Sequence, residues 1–263
     1  MPKDASNFVW YELMTTDTMG AAAFYGAVVG WTTQDAGIPN ADYQYFMLGE
    51  CQIAGMMAIT EEMCADARPF WGGYIGVDDT DAYAAKIEQL GGKVLRAPED
   101  IKGVGRFAVT ADPHGAMFML FTPQEKSRVE PPAPSTPGVI GWRELNAGDG
   151  AEALAFYTEL FGWDKAGEVD MGPMGTYYLF GIGEQMLGGM MTKLEHLPYP
   201  FWQYYFNVDD INTALERVKA NGGEILMEPH EVPGGSWILI GRDPQGAAFA
   251  LVQPGEIPGC DVV

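Results

Sequence analysis

One block of sequence occurs twice in this chain, and any fold must accommodate both copies. Phe8 to Trp31 reads FVWYELMTTDTMGAAAFYGAVVGW, and Ile140 to Trp163 reads IGWRELNAGDGAEALAFYTELFGW. Trp10, Glu12, Leu13, Asp17, Phe24, Tyr25, Gly30 and Trp31 recur as Trp142, Glu144, Leu145, Asp149, Phe156, Tyr157, Gly162 and Trp163, always 132 positions on. A second block, Pro69 to Pro123, aligns without a gap on Pro200 to Pro254 at an offset of 131, with Pro69-Phe70-Trp71, Val77-Asp78-Asp79, Gly91-Gly92 and Asp112-Pro113 shared. Between the copies lies Thr122 to Gly138, with prolines at 123, 131, 132, 134 and 137. Proline fixes φ and removes a backbone donor, so an extended, semi-rigid linker is expected. Two tandem domains follow, residues 1–124 and 138–256, joined by 125–137 and followed by a tail, 257–263.

Charge narrows the partners. Fifteen Lys and Arg against 36 Asp and Glu give −21, a surface that repels phosphate backbones and anionic lipid. Nucleic acid and membranes are therefore not expected as partners; neutral or cationic ligands are compatible with the charge, whose bland reading is solubility alone, and the partner expected is a small molecule. Three scattered cysteines, Cys51, Cys64 and Cys260, fit neither a disulfide framework nor a zinc site. Met1 to Trp10 lacks the charged and apolar regions of a secretion signal, and no apolar run is long enough to span a membrane. The expectation is a cytoplasmic protein, monomer or homodimer.

Within one copy, residues 8–15 alternate as a strand does. Asp17 can cap a following helix whose apolar stripe holds Phe24, Tyr25, Val28 and Val29, and Gly30 or Gly162 ends it. In the second copy Asp149 and Glu152 have the spacing of a capping box. A hairpin follows, Tyr43–Leu48 and Gln52–Ala58, turned at Gly49-Glu50. Trp71–Val77 reads as a strand, Asp79 as the cap of a helix running to Leu90, and Gly91-Gly92 as its stop. Short strands are expected at Lys93–Arg96, Arg106–Thr110 and Met117–Phe121, with a turn at Asp112-Pro113-His114-Gly115 between the last two. A further strand near Gly30–Gln34 makes each half of a domain βαβββ. The fold class expected is α+β: two tandem domains, each a pair of βαβββ modules forming a curved, cup-shaped mixed sheet.

The order and spacing of the opening strand, Asp17, Phe24-Tyr25, Gly30-Trp31, Val77-Asp78, Gly91-Gly92 and Asp112-Pro113-X-Gly resemble the vicinal-oxygen-chelate superfamily of glyoxalases, bleomycin-resistance proteins and extradiol dioxygenases. The resemblance covers almost the whole chain, twice, and is greatest to fused two-domain glyoxalase-like proteins. It implies a divalent metal held in the cup by His, Glu or Gln. Carried over one at a time, the ligand slots fall on Trp10 and Trp142, near Gly55 and Gly189, on Gly72 and Gln203, and on Met119 and Ala250. Gln203 alone could coordinate. The three histidines lie elsewhere: His114 in a turn, His196 and His230 in expected loops. No cofactor is therefore expected, a divalent metal remaining the disfavoured alternative. The resemblance also implies that fusion supplies the two-fold partner that single-domain relatives obtain by dimerising.

What fills the cup instead is expected to be aromatic and soft. The candidate ligand-binding residues are Trp10, Met56, Trp71, Tyr74 and Phe118, with Trp142, Met190, Trp202, Gln203, Tyr205 and Phe249. Two readings of them stand, core packing and an apolar pocket. Glu12 and Glu144 share a strand face with Trp10 and Trp142 and are the candidate acid–base residues, a buried carboxyl having a raised pKa. The bland reading makes them surface or paired glutamates. Asp17 and Asp149 read as helix caps, Asp112 and Asp243 as turn formers, and Glu50 and Glu184 as solvated. Two functions follow: a binding module for a small aromatic or amphipathic molecule, or a lyase or oxidoreductase of glyoxalase, lyase or hydroxylase type using Glu12 or Glu144, with or without a metal. A third, a scaffold for a partner enzyme, rests on the doubled domain alone.

Overall fold

The computed structural model describes residues 6–38, 42–60, 68–125 and 132–255. The first copy contributes β1 (Phe8–Thr15), α1 (Thr18–Val29), β2 (Thr32–Asp35), β3 (Tyr43–Leu48), β4 (Cys51–Ala58), β5 (Phe70–Gly76), α2 (Thr80–Gln89), β6 (Lys93–Ile101), β7 (Gly105–Ala111) and β8 (Met117–Pro123). The second contributes β9 (Ile140–Ala147), α3 (Gly150–Phe161), β10 (Asp164–Asp170), β11 (Thr176–Ile182), β12 (Gln185–Thr192), β13 (Phe201–Asn207), α4 (Ile211–Ala220), β14 (Glu224–Glu231), β15 (Trp237–Arg242) and β16 (Ala248–Gln253). Each copy is thus βαβββ twice, and the expected strand after the first helix is present. The strands form two open mixed sheets, ordered β2-β3-β4-β1-β5-β8-β7-β6 and β10-β11-β12-β9-β13-β16-β15-β14. The α+β class and the paired modules are as read from the sequence.

The helix ends are set by local chemistry. Asp17, Asp79, Asp149 and Asp210 each sit in extended backbone before a helix, and each side chain accepts from a backbone N–H three residues on. That satisfies donors which the first turn leaves unpaired. Gly30 and Gly162 close α1 and α3 with φ of 81° and 71°, a left-handed conformation that glycine adopts without strain.

Three expectations are corrected. His230 lies in β14, paired opposite Ile238, and not in a loop. The strand expected at Lys93–Arg96 continues to Ile101. Pro98 and Pro229 interrupt an edge strand in each case, where a missing N–H leaves no ladder bond unmade. The linker was expected to be extended, but its described part turns: Thr136 N–H donates to Ala133 O and Val139 N–H to Thr136 O. Asn207 Nδ2 holds the turns through Pro134 O at 2.6 Å and Thr136 O at 3.1 Å. Residues 126–131 of the linker, Cys64 and Cys260 lie outside the described residues.

Contacts divide the chain into two compact units, and each unit draws on both copies. One comprises 1–11, 72–129 and 142–203; the other comprises 12–71, 130–141 and 204–263. Their cores follow one pattern. In the second unit Trp71 Nε1 donates to Tyr25 Oη at 2.8 Å, and Tyr25 donates to Asp243 Oδ2 at 3.0 Å. In the first unit Trp202 Nε1 donates to Tyr157 Oη at 3.2 Å, and Tyr157 donates to Asp112 Oδ2 at 3.4 Å. Trp31 Nε1 donates to Gly138 O in one unit and Trp163 Nε1 to Ser6 O in the other, just ahead of β9 and β1 respectively. The repeated Tyr, Trp and Asp therefore bind residues of the opposite copy. Asp112 and Asp243 do form turns, through backbone N–H groups on Oδ1, and they also end these buried chains.

Candidate functional site

The opening strands carry the polar candidates, and the pleat decides their surroundings. In β9, Trp142, Glu144 and Asn146 share one face while Leu145 points to the other and is fully buried. Glu144 lies opposite Gly189 of the parallel neighbour β12. A Cβ at Gly189 would run into the Tyr177 ring and hydroxyl, so the bare backbone of β12 is what lets Tyr177 lie across it. From there Tyr177 Oη donates to Glu144 Oε2 at 3.0 Å and accepts from Trp142 Nε1 at 2.9 Å. Asn146 Nδ2 reaches Glu144 Oε1 at 3.4 Å. Glu144, Trp142 and Tyr177 are half-buried, and Asn146 is buried. Burial pushes the Tyr177 phenol well above its ordinary pKa, and the Glu144 charge pushes the same way. The phenol is therefore a neutral donor at ordinary pH.

The other unit repeats part of this. Glu12 lies opposite Gly55, and a Cβ at Gly55 would run into the Tyr43 hydroxyl. Glu12 is the more deeply placed of the two glutamates, at 9% exposure. Met14 stands where the second copy has Asn146, Gly72 where it has Gln203, and Met119 where it has Ala250. Residue for residue, these three positions are more apolar in the first copy. Trp10, in turn, packs with Tyr74, Phe107 and Met119 in a cluster that also takes Val109 and Phe121.

The remaining candidates divide by face. Met56 and Met190 pair with Leu13 and Leu145, and both are fully buried. Trp71 packs on Tyr25, Trp31 and Phe206; Trp202 packs on Tyr157, Trp163 and Phe180. Phe118 meets Tyr157 and Phe161 of α3, and Phe249 meets Phe24 and Tyr25 of α1. These six belong to the helix-side core. A strand reverses faces at every residue, so Phe118 cannot share a face with Met119, nor Met56 with Gly55. Gln203 and Tyr205 are buried on β13, at 4% and 2% exposure. Sequence reasoning missed Tyr177, Tyr43 and Asn146. A signal existed for the tyrosines: they lie 134 apart, as do Gly55 and Gly189.

The slots at which the resemblance would put a metal can now be tested for fit. The strand registers treat them alike: Glu12 opposite Gly55 corresponds to Tyr74 opposite Met119, and Glu144 opposite Gly189 to Tyr205 opposite Ala250. By residue type those slots hold two tryptophans, three glycines, a methionine, an alanine and Gln203. One amide oxygen is not a divalent site. At Gly55 and Gly189 a longer side chain would also displace a tyrosine. Among the described residues no three of His, Cys, Asp and Glu come together as a metal set.

Comparison with known proteins agrees with this architecture. Residues 139–251 match the family model described as the Glyoxalase/Bleomycin resistance protein/Dioxygenase superfamily, and residues 10–121 match a glyoxalase-like domain model. The chain is 30% identical over 252 residues to the putative glyoxylase CFP32 of Mycobacterium tuberculosis, covering 93% of this chain and 94% of that one. It is 29% identical over 258 residues to the anthracycline biosynthesis protein DnrV of Streptomyces peucetius, covering 93% and 92%. Among solved structures it is similar to 2,2',3-trihydroxybiphenyl 1,2-dioxygenase of Sphingomonas wittichii strain RW1, with a TM-score of 0.67 at 14% identity over 97% of this chain and 92% of that one. The Mn(II)-bound glyoxalase of Novosphingobium aromaticivorans gives 0.64 at 17% identity, covering 96% and 83%. At such identities the two structures share the fold.

Proposed function

The chain belongs to the glyoxalase/bleomycin resistance protein/dioxygenase superfamily, and on that premise we propose that it binds a small aromatic or amphipathic molecule, without a divalent metal, on the strand face around Glu144. The observation that carries this reading is the Trp142–Tyr177–Glu144–Asn146 network, which sits where the slots offer a metal no donor set. A half-buried indole and phenol with one fixed carboxylate have the composition of a small-molecule site: apolar area for affinity and a few polar groups for orientation. The relative from Streptomyces peucetius is named for anthracycline biosynthesis, which supports trying planar aromatic compounds first. The charge of −21 favours solubility and disfavours nucleic acid and membranes as partners; a cytoplasmic protein, monomer or homodimer, with a small-molecule partner completes the proposal.

The test is a thermal-shift screen in excess chelator against planar aromatic metabolites and antibiotics. Ligands that bind the folded state raise its melting temperature. At least one aromatic compound is expected to do so in chelator. Silence across the panel, or a response that appears only when Mn2+ is restored, contradicts the reading.

A second reading has one observation in its favour. Glu144 and its hydrogen-bonded phenol form an acid–base pair of the kind that moves protons, and Glu12 is a buried carboxyl on the matching strand. Under this reading the protein is a lyase or oxidoreductase of glyoxalase type. Turnover that is lost in both Glu12→Gln and Glu144→Gln, with binding retained, supports it; turnover that survives both removes it.

A further inference from the structure

A cleft of about 350 Å3 lies beside α3. Its floor is apolar: Leu90 at the end of α2, Pro113 of the β7–β8 turn, and Ala153 and Phe156 of α3. Two exposed carboxylates, Glu152 and Glu159, line it as well. Seven residues make two helical turns, so the pair shares one face of α3, roughly 10 Å apart along its axis. Glu152 is held in place. His114 Nε2 lies 3.0 Å from its Oε2, and the imidazole is seated on the bare backbone of Gly148, where a Cβ would run into it. A neutral imidazole donating its N–H there orients the carboxylate without cancelling its charge. Lys86 Nζ is spent on the carbonyl oxygens of Glu159 and Leu160. Among the described residues neither glutamate is paired with Lys or Arg. A second cleft, of about 330 Å3 beside α2, gives the contrast. Asp81 and Glu88 line it with the same spacing, but Arg106 already grips Asp81 through Nε and Nη2.

We infer that the cleft beside α3 binds a linear aliphatic diamine, its alkyl chain on the apolar floor and one ammonium group at each of Glu152 and Glu159. Charge complementarity selects this occupant. An anion would meet two carboxylates on a chain that carries −21. A neutral alkyl chain would fill the floor and leave both carboxylates without a counter-charge. A long amine does both jobs, laying its stem on apolar surface while its charged ends stay in water. The positions that correspond to Glu152, Glu159 and His114 in the other copy hold Gly20, Ala27 and Gln245, so one diamine is expected per chain. This site is separate from the strand face around Glu144 and goes beyond the function proposed above.

The experiment uses the full chain at mildly alkaline pH and three probes: 1,8-diaminooctane, 1,3-diaminopropane and octylamine. The first is long enough to span the two glutamates. The second has the same charge but is too short, and the third has the same chain but one charge. Calorimetry is expected to show one 1,8-diaminooctane bound per chain, roughly tenfold tighter than 1,3-diaminopropane and roughly threefold tighter than octylamine. This comparison is made on the unsubstituted chain and stands independently of any variant's folding. Glu159→Gln should weaken 1,8-diaminooctane roughly threefold, as the loss of one exposed ion pair does. Glu88→Gln removes the same charge from the cleft beside α2 and should leave the affinity unchanged, which separates the local anchor from the global charge. Equal affinity for the two diamines, equal effects of Glu159→Gln and Glu88→Gln, or no saturable binding of 1,8-diaminooctane to folded protein overturns the inference. None of these outcomes bears on the aromatic ligand proposed above, which is tested by its own screen.

Discussion

A tyrosine lying across a glycine is the smallest unit on which the site depends. Gly189 and Gly55 are bare because Tyr177 and Tyr43 occupy the space a Cβ would need. Gly189→Ala and Gly55→Ala are each expected to cost about 1–3 kcal/mol, the usual range for overpacking. Denaturant unfolding measures this, and pairing Gly189→Ala with Tyr177→Ala should recover part of the loss. If Gly189→Ala is neutral with Tyr177 in place, the glycine has another explanation. Tyr177 makes a second prediction. Burial and the Glu144 charge hold its phenol well above the ordinary value. In an alkaline titration followed by phenolate absorbance, it should ionise after the surface tyrosines. Tyr25 and Tyr11 are raised by burial as well, so Tyr177→Phe should remove one tyrosine from that late component, and Glu144→Gln should move the same one to lower pH, because the charge that raises it is gone. A Tyr177 that titrates with the exposed phenols contradicts the hydrogen bond to Glu144.

Elements are tied together by the buried Trp–Tyr–Asp chains. Tyr25→Phe would leave the Trp71 indole N–H and the Asp243 carboxyl each short of a partner, and Tyr157→Phe would do the same to Trp202 and Asp112. Each change should cost about 1–3 kcal/mol, the penalty for stranded buried polar groups. Tyr25→Phe should be the worse of the two, since its bonds are the shorter. Burial raises the Asp243 carboxyl above its ordinary pKa, more than the backbone N–H of Ala247 and the Tyr25 hydroxyl lower it. A carboxyl raised on folding stabilises the fold below its unfolded pKa, and that contribution fades as pH climbs through the folded value. Unfolding midpoints of Asp243→Asn across mildly acidic pH should therefore fall less with rising pH than those of the parent; an unchanged slope contradicts the buried environment. Much of this level was legible in the sequence. The Asp caps, the Gly30 and Gly162 stops and the strand β1 follow from local rules, and the structure has them, although β1 does not alternate in burial: Tyr11, Glu12 and Leu13 are all buried. The partner of each repeated residue was not legible, because periodicity tells which face a residue takes and not which element lies against it. Tyr25 and Tyr157 thus read as helix stripe, and their carboxylates 218 and 45 residues away were invisible. Trp71, Phe118 and Met56 are different: counting by twos along their strands from Tyr74, Met119 and Gly55 already puts them on the opposite face.

At the scale of the molecule, duplication supplies each copy with the other's packing partners. Phe118 of the first copy rests on Tyr157 and Phe161 of the second, and Phe249 of the second on Phe24 of the first. Residues 1–124 expressed alone should therefore either unfold or self-associate to replace those contacts, as seen by sedimentation and urea unfolding. A monomer as stable as the full chain would contradict the shared cores. The two copies also share strand registers, and the slots named by the resemblance hold Trp, Gly, Met, Ala and Gln203. Under the function proposed above, this face works by apolar contact and one oriented carboxylate, with no bound ion. Elemental analysis of the full chain, purified without chelator and equilibrated with Mn2+, Zn2+ and Ni2+ before dialysis, tests this most directly. A divalent-metal content far below one equivalent per chain is expected. A stoichiometric ion that survives dialysis, and is lost on substitution of Gln203 or Glu144, would contradict it.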